Sequence, residues 1–111
     1  MANFFKNSLE SGIGTGGAVA YTCPAGRTST VIGVSVANVV ASDVQLTVKA
    51  HDVSTGDIAH VIKDFIVAEN STLVLFGGDQ KLVLETGDFL SITGSSAAAF
   101  DAIVSVLEQG Q

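Results

Sequence analysis

Tryptophan is absent from the 111 residues, and cysteine, proline, methionine and tyrosine occur once each. A single cysteine, Cys23, excludes an internal disulfide. Charge is scarce as well: 14% of residues against a usual ~25%. Only five are Lys or Arg, scattered among eleven acids for a net charge of −6, so there is no basic stripe to neutralise phosphates and no nucleic-acid partner is expected. No run reaches the ~18 apolar residues of a membrane helix, and the longest apolar-leaning stretch, residues 31–41, is broken by Gly33, Ser35 and Asn38. The start, "MANFFKNSLESG", lacks the apolar stretch of a signal peptide, so a chain made in a cytoplasm and without membrane contact is expected. The sequon Asn70-Ser71-Thr72 then carries little weight.

What remains is aliphatic. Hydrophobic residues make up 47%, with six Phe and many Val and Ile, whose branched side chains suit a pleated surface. A surface so poor in charge points to coverage by another molecule. "DVQLTVKAHD" alternates Val44, Leu46, Val48 and Ala50 with Gln45, Thr47, Lys49 and His51. "FDAIVSVLE" sets Phe100, Ala102, Val104 and Val106 against Asp101, Ile103, Ser105 and Leu107, and "TVIGVSVAN" sets Ile32, Val34 and Val36 against Gly33, Ser35 and Ala37. In "IAHVIKDFIV" the faces are interrupted at His60, Lys63 and Asp64, which calls for a bulge or for cover on both sides. Turn signals stand at 54–57, 68–71, 77–79 and 86–88, and residues 39–42 fit a hairpin connection. With a short strand at "AVAYT" the chain reads as an all-β, antiparallel β-sandwich or jelly roll of about eight strands, a small closed barrel being the second choice. The stretch "SSAAAFDAIVSVLE" has a helical alternative because of its alanines. Residues 1–17 are expected to form a flexible N-terminal arm, and residues 18–111 a single sandwich domain.

Candidate chemistry is thin. Gly12, Gly14 and Gly17 spell G-x-G-x-x-G, but the dinucleotide fingerprint needs a strand before and a helix after, and Pro24 closes off a helix here. No cofactor is expected. His51 and His60, with Asp52, Asp57 and Asp64, are the candidates for a metal or acid–base site; two surface histidines on neighbouring strands is the preferred reading, with no metal. Cys23 has no histidine close in sequence and reads as a small buried residue, and G-x-S-x-G does not occur, so no catalytic residue and no enzyme is expected. The acid- and glycine-rich stretch "GGDQKLVLETGDFLSI" matches no phosphate loop; it reads as two hairpin turns flanking a short strand.

Three stretches carry a resemblance: "MANFFKN", "YTCPAGRTSTVIGVSVAN" and "GGDQKLVLETGDFLSITGSSAAAFDAIVSVLE". From Met1 to Glu108 the chain resembles small virion structural proteins of tailed bacteriophages, especially those of marine and freshwater bacteria. The resemblance implies a virion location and no catalytic residues. The first expectation is a homo-oligomeric capsid decoration (cement) protein, a trimer among its options, with the major capsid protein among its partners. A neck or tail adaptor or fibre-anchoring protein is the alternative, and a carbohydrate-binding host-recognition module is third, disfavoured by the lack of Trp. The residues expected to make contacts are Asn3, Phe4, Phe5 and Lys6 in the arm, with Ile103 and Leu107 on the second face of the last strand.

Overall fold

Alternation governs the structure. Every second residue from Val44 to Val48 and from Phe100 to Glu108 is buried, and those between are half-buried or exposed. The computed structural model describes residues 3–76 and 81–110. Within them lie β1 (Asn3–Ile13), β2 (Ala18–Thr22), β3 (Arg27–Asn38), β4 (Val44–Asp52), β5 (Asp57–Val67), β6 (Thr72–Phe76), β7 (Leu82–Leu84), β8 (Phe89–Gly94) and β9 (Phe100–Gly110). No helix occurs among the described residues, so the alanine-rich approach to Phe100 feeds a strand.

The strands form two antiparallel sheets, β1-β9-β3-β6 with β7 also on β3, and β2-β8-β4-β5. The pairs β1/β9, β2/β8, β3/β6 with β7, and β4/β5 are successive parts of one long two-stranded ribbon, folded alternately into the two sheets. That is jelly-roll topology. Between the sheets lies an aliphatic core around Phe100, Leu46, Leu90, Ile92 and a set of valines, all fully buried.

Several expectations are corrected by this topology. Segment 1–17, expected as a flexible arm, supplies an additional strand over Asn3–Ile13, paired with β9 without interruption from Asn3 to Glu10. Its inward positions, Phe4, Lys6, Ser8 and Glu10, lie at the sandwich margin and stay outside the core, so no apolar alternation marks it. Val31, not Ile32, is the buried companion of Val34 and Val36, because the β3–β9 register shifts between Val31 and Gly33. Residues 39–42 form no hairpin; they carry the chain between sheets. Buried Asn38 shapes that crossing, its amide donating to the carbonyls of Ser42 (2.9 Å) and Val67 (3.0 Å) while Oδ1 accepts from Val40 N (3.0 Å). The turn at Thr86-Gly87-Asp88 likewise joins different sheets. β6 and β7 lie along the same edge of β3 and run in the same direction, so "QKLVLE" is not held between two hairpins; its first turn, Gly77-Gly78-Asp79, falls outside the described residues. The turn at 54–57 does close a hairpin, with Asp52 opposite Asp57. In β5 a bulge resolves the ambiguous alternation: the β4–β5 register shifts twice and Asp64 adopts φ 50°.

Connections gather at two rims. At one, 14–17, 39–43, 68–71 and 95–99 interlock through Gly94 N to Gly14 O (3.1 Å), Ala99 N to Ile13 O (2.9 Å) and Asn38 N to Ser71 O (2.8 Å). At the other, the connections after β2, β4 and β7 are tied by Cys23 N to Asp88 O and Val53 N to Asp88 Oδ1. The glycine triplet Gly12/Gly14/Gly17 is therefore a bulge and a turn between strands, with positive φ at Gly12 and Gly17. A Cβ on Gly14 would stand 2.8 Å from the backbone nitrogen of Ala98. Gly14→Ala is expected to destabilise the fold by about 1–3 kcal/mol, since two rim connections must separate; a shift of the urea midpoint measures it.

Candidate functional site

The outer face of the β1-β9-β3-β6 sheet is the feature that stands apart. Register builds two cross-strand rows on it. One is Leu9–Ile103–Ser35–Val74, the other Phe5–Leu107–Thr30–Val83. Phe5 is 77% exposed, Val74 66%, Leu9 65% and Val83 59%, values expected of charged side chains rather than of these. Between the rows lie Asn7, Ser105 and Gly33, small and uncharged. Among the described residues of these strands the one charged side chain on this face is Asp101, at its margin, where its carboxylate accepts from Gly12 N (3.0 Å). The opposite sheet differs. Its outer face carries Lys49 beside His60, and Thr47 beside Asp64, whose backbone N–H donates to the Thr47 hydroxyl at 3.1 Å.

The expected contact residues divide between faces. Asn3, Phe5, Ile103 and Leu107 share the uncharged face, Asn3 lying beside Gln109. Phe4 and Lys6 project to the other side of β1. The Phe4 ring packs under the Arg27 guanidinium at 4.3 Å, a cation–π contact. Leu9, Val74 and Val83 were missed, although "TLVLF" and "KLVLE" held the signal for the last two: three consecutive aliphatics in each, more than one buried face requires.

Behind Phe4 lies a buried polar cluster unmarked in the sequence. Glu108 is inward-facing on β9 with a side chain 4% exposed. Its Oε1 meets Arg27 Nη1 at 2.6 Å and its Oε2 accepts from the Tyr21 hydroxyl at 2.5 Å. Tyr21 also bonds Ser29 Oγ (2.7 Å), which lies 3.2 Å from Cys23 Sγ. Burial alone would push the Glu108 carboxyl up; the bonds from Tyr21 and Arg27 outweigh it and hold the group below the ordinary carboxylate range. Burial, then the bond to Glu108, pushes the Tyr21 phenol well above its usual value. Apart from the partly exposed Arg27 the cluster is buried, and no buried side-chain nitrogen or oxygen among the described residues is left without a partner. It joins β2, β3 and β9 and does no evident chemistry.

His51 and His60 lie on adjacent strands of the other sheet but do not converge. His51 stacks on Phe89 (centroids 4.2 Å apart) and shares a hydrogen bond with Ser91 Oγ (2.9 Å), whereas His60 lies opposite Lys49. Asp52, instead of joining them, approaches Glu85 and Asp88, with ligand atoms within 4.8 Å of one another. This is the group among the described residues whose donor set would suit a hard cation. Two of its three carboxylates are already used in closing turns: Asp88 accepts from Val53 N and Glu85 N, and Asp52 from the Ser54 hydroxyl and backbone N–H. Cys23 is buried.

No protein-family model matches the chain, and no curated protein does. Among solved structures it is similar to a protein of Bacillus endospore appendages, described as disulfide-linked pili, with a TM-score of 0.57, 14% identity, and coverage of 98% of this chain and 87% of that one. It is more distantly similar to a pentameric capsid protein from metagenomic phage sequences (TM-score 0.44, 14% identity, 96% of this chain and 59% of that one). Infectious bursal disease virus, Gt strain, gives a TM-score of 0.39 at 11% identity, with coverage of 100% and 36%. At these identities the likeness is one of fold.

Proposed function

We propose that the chain is a non-enzymatic structural subunit that packs into a protein shell: a virion structural protein of a tailed bacteriophage, with capsid decoration as its first role. The observation that carries this reading is the uncharged four-strand face with its two apolar rows. On a chain of net charge −6, a face whose strands carry a single charged side chain, Asp101 at the margin, is where a neighbour approaches at least electrostatic cost. Four strands about 4.8 Å apart, eight residues long, give a face on the order of 500 Å². That is below the ~800 Å² each partner contributes to a standard stable pair, which suits a subunit held by several neighbours at once. The jelly roll is a fold that capsid subunits use, a supporting analogy only. Cys23, the chain's one cysteine, is buried, so adhesion through an intermolecular disulfide is not part of this reading. Burial of Tyr21 removes the one tyrosine from any sugar-stacking surface, which weighs against carbohydrate recognition.

The test is the double variant Ile103→Glu/Val74→Glu, both positions being exposed on this face. It is expected to keep the wild-type melting temperature within a few degrees and to be lost from purified particles. Undiminished incorporation would sink the reading. Copies spread over the shell would favour decoration; a single ring at one vertex would favour the neck or tail adaptor.

A further inference from the structure

Two sheets present four edge strands, and three of them are blunted. β2 has five residues and a register shift between Val19 and Tyr21; β5 carries two shifts and the positive φ of Asp64; β6 and β7 are five and three residues long. Short, bulged or broken edges resist pairing with another chain. β1 is neither short nor broken between Asn3 and Glu10: the register is continuous, there is no proline, and its outer margin is unpaired by any described strand, so the guard it carries is charge, Lys6 and Glu10 on its inward side.

The charges on β1 indicate what pairs with it. Lys6 and Glu10 project to the same side of the strand, four residues apart and so about 13 Å along it, too far to meet each other. An antiparallel second copy of β1 centred on Ser8 brings Lys6 opposite the second copy's Glu10, and Glu10 opposite its Lys6, forming two opposite-charge pairs at once. Like charges meet in neither pair. On the other side of the strand the same register sets Asn7 opposite Leu9 and Phe5 opposite Ser11, so the apolar rows of the two copies meet on the Phe5–Leu9 diagonal.

We infer that β1 is a self-complementary edge through which two copies of this chain join, β1 to β1 and antiparallel about Ser8, into one continuous ten-stranded sheet. The inference names the first contact of the structural subunit proposed above and rests on that reading for its biological setting alone.

Sedimentation equilibrium tests it with a charge swap. The wild type is expected to dimerise. Lys6→Glu and Glu10→Lys each place like charges opposite one another twice per dimer, and each is expected to weaken dimerisation by about tenfold or more. The double variant Lys6→Glu/Glu10→Lys restores both pairs and is expected to return to within about threefold of wild type. Circular dichroism confirms that each variant is folded. A second readout is Ser8→Cys: oxidation should link two chains through position 8, since the chain's natural cysteine is buried. A monomeric wild type, single variants that dimerise as well as wild type, a swap that restores nothing, or no link through position 8 would each overturn the ladder. None of these bears on the particle measurement above, so the two readings fail separately.

Discussion

Glu108→Ala will lower the stability of the folded chain by about 2–4 kcal/mol, read as a fall in the urea midpoint at unchanged slope. Removing the carboxylate leaves the Tyr21 hydroxyl with Ser29 as its remaining partner and the Arg27 guanidinium without its counter-charge, while Phe4 still holds Arg27 in place. Arg27 is a third exposed, so water recovers part of the loss, which keeps the expectation below the upper limit for a broken buried pair. Glu108→Gln, which keeps the shape and removes the charge, should cost less. A value under 0.5 kcal/mol for the alanine variant would mean that the cluster is an incidental arrangement.

The same cluster makes stability depend on pH at both ends of the range. The Glu108 carboxyl is held below its ordinary value of 4.5, so its contribution is complete above that pH and is lost as pH falls through the depressed value. The Tyr21 phenol is raised above its ordinary 10.0, so its contribution is complete below pH 10 and declines as the solution becomes more alkaline. Stability is therefore expected to be flat between about pH 5 and 10 and to fall on both sides. Glu108→Gln should flatten the acid limb and also move the alkaline one, because both groups share a bond. An unchanged alkaline limb in that variant would show that burial alone raises the phenol.

Phe100→Ala should cost more still, about 3–5 kcal/mol, because a fully buried ring leaves a cavity between two sheets that cannot close on it. In a domain of this length that is a fall in Tm of about 15–25 °C. The ring lies against Gly94 of the opposite sheet, where an added Cβ would be 2.9 Å from Cδ2 and Cε2 of Phe100. Gly94→Ala is accordingly expected to cost about 1–3 kcal/mol by overpacking, and less in a Phe100→Leu background, where the space is free. Strict additivity of the two substitutions would show that the residues do not press on each other.

How much could be read from the sequence followed how far each strand sits from the sandwich margin. β4 and β9 are covered on one face and open on the other, so their alternation is a direct print of burial. β1 buries almost nothing, and its polar inward positions left it looking like an arm. β5 exposes both faces over most of its length, which blurred its reading in the same way. Turn chemistry located the connections at 54–57, 68–71 and 86–88 but not their destinations, because glycine and aspartate fix local backbone and say nothing about which sheet comes next. Register also lies beyond any local pattern. The uncharged face exists because Ile103, Val74 and Leu9 fall in one row, a consequence of pairing between residues nearly a hundred positions apart. The Glu108 cluster was hidden for the same reason: an acid in "VSVLE" reads as an exposed strand end until β2 and β3 are laid against it.

The pairing of Asn3 with Gln109 and of Arg27 with Gly110 gives the molecule a front and a back. Both ends of the described chain leave from one rim, beside the connections after β2, β4 and β7, while the other rim is made of closed loops alone. A peptide appended to either end would thus emerge at the same place, and two appended at once would be neighbours. A covalent tie of a few residues between the ends, with new termini cut at 68–71, would leave the strand pairings in place. As a carrier, the fold displays from one side only.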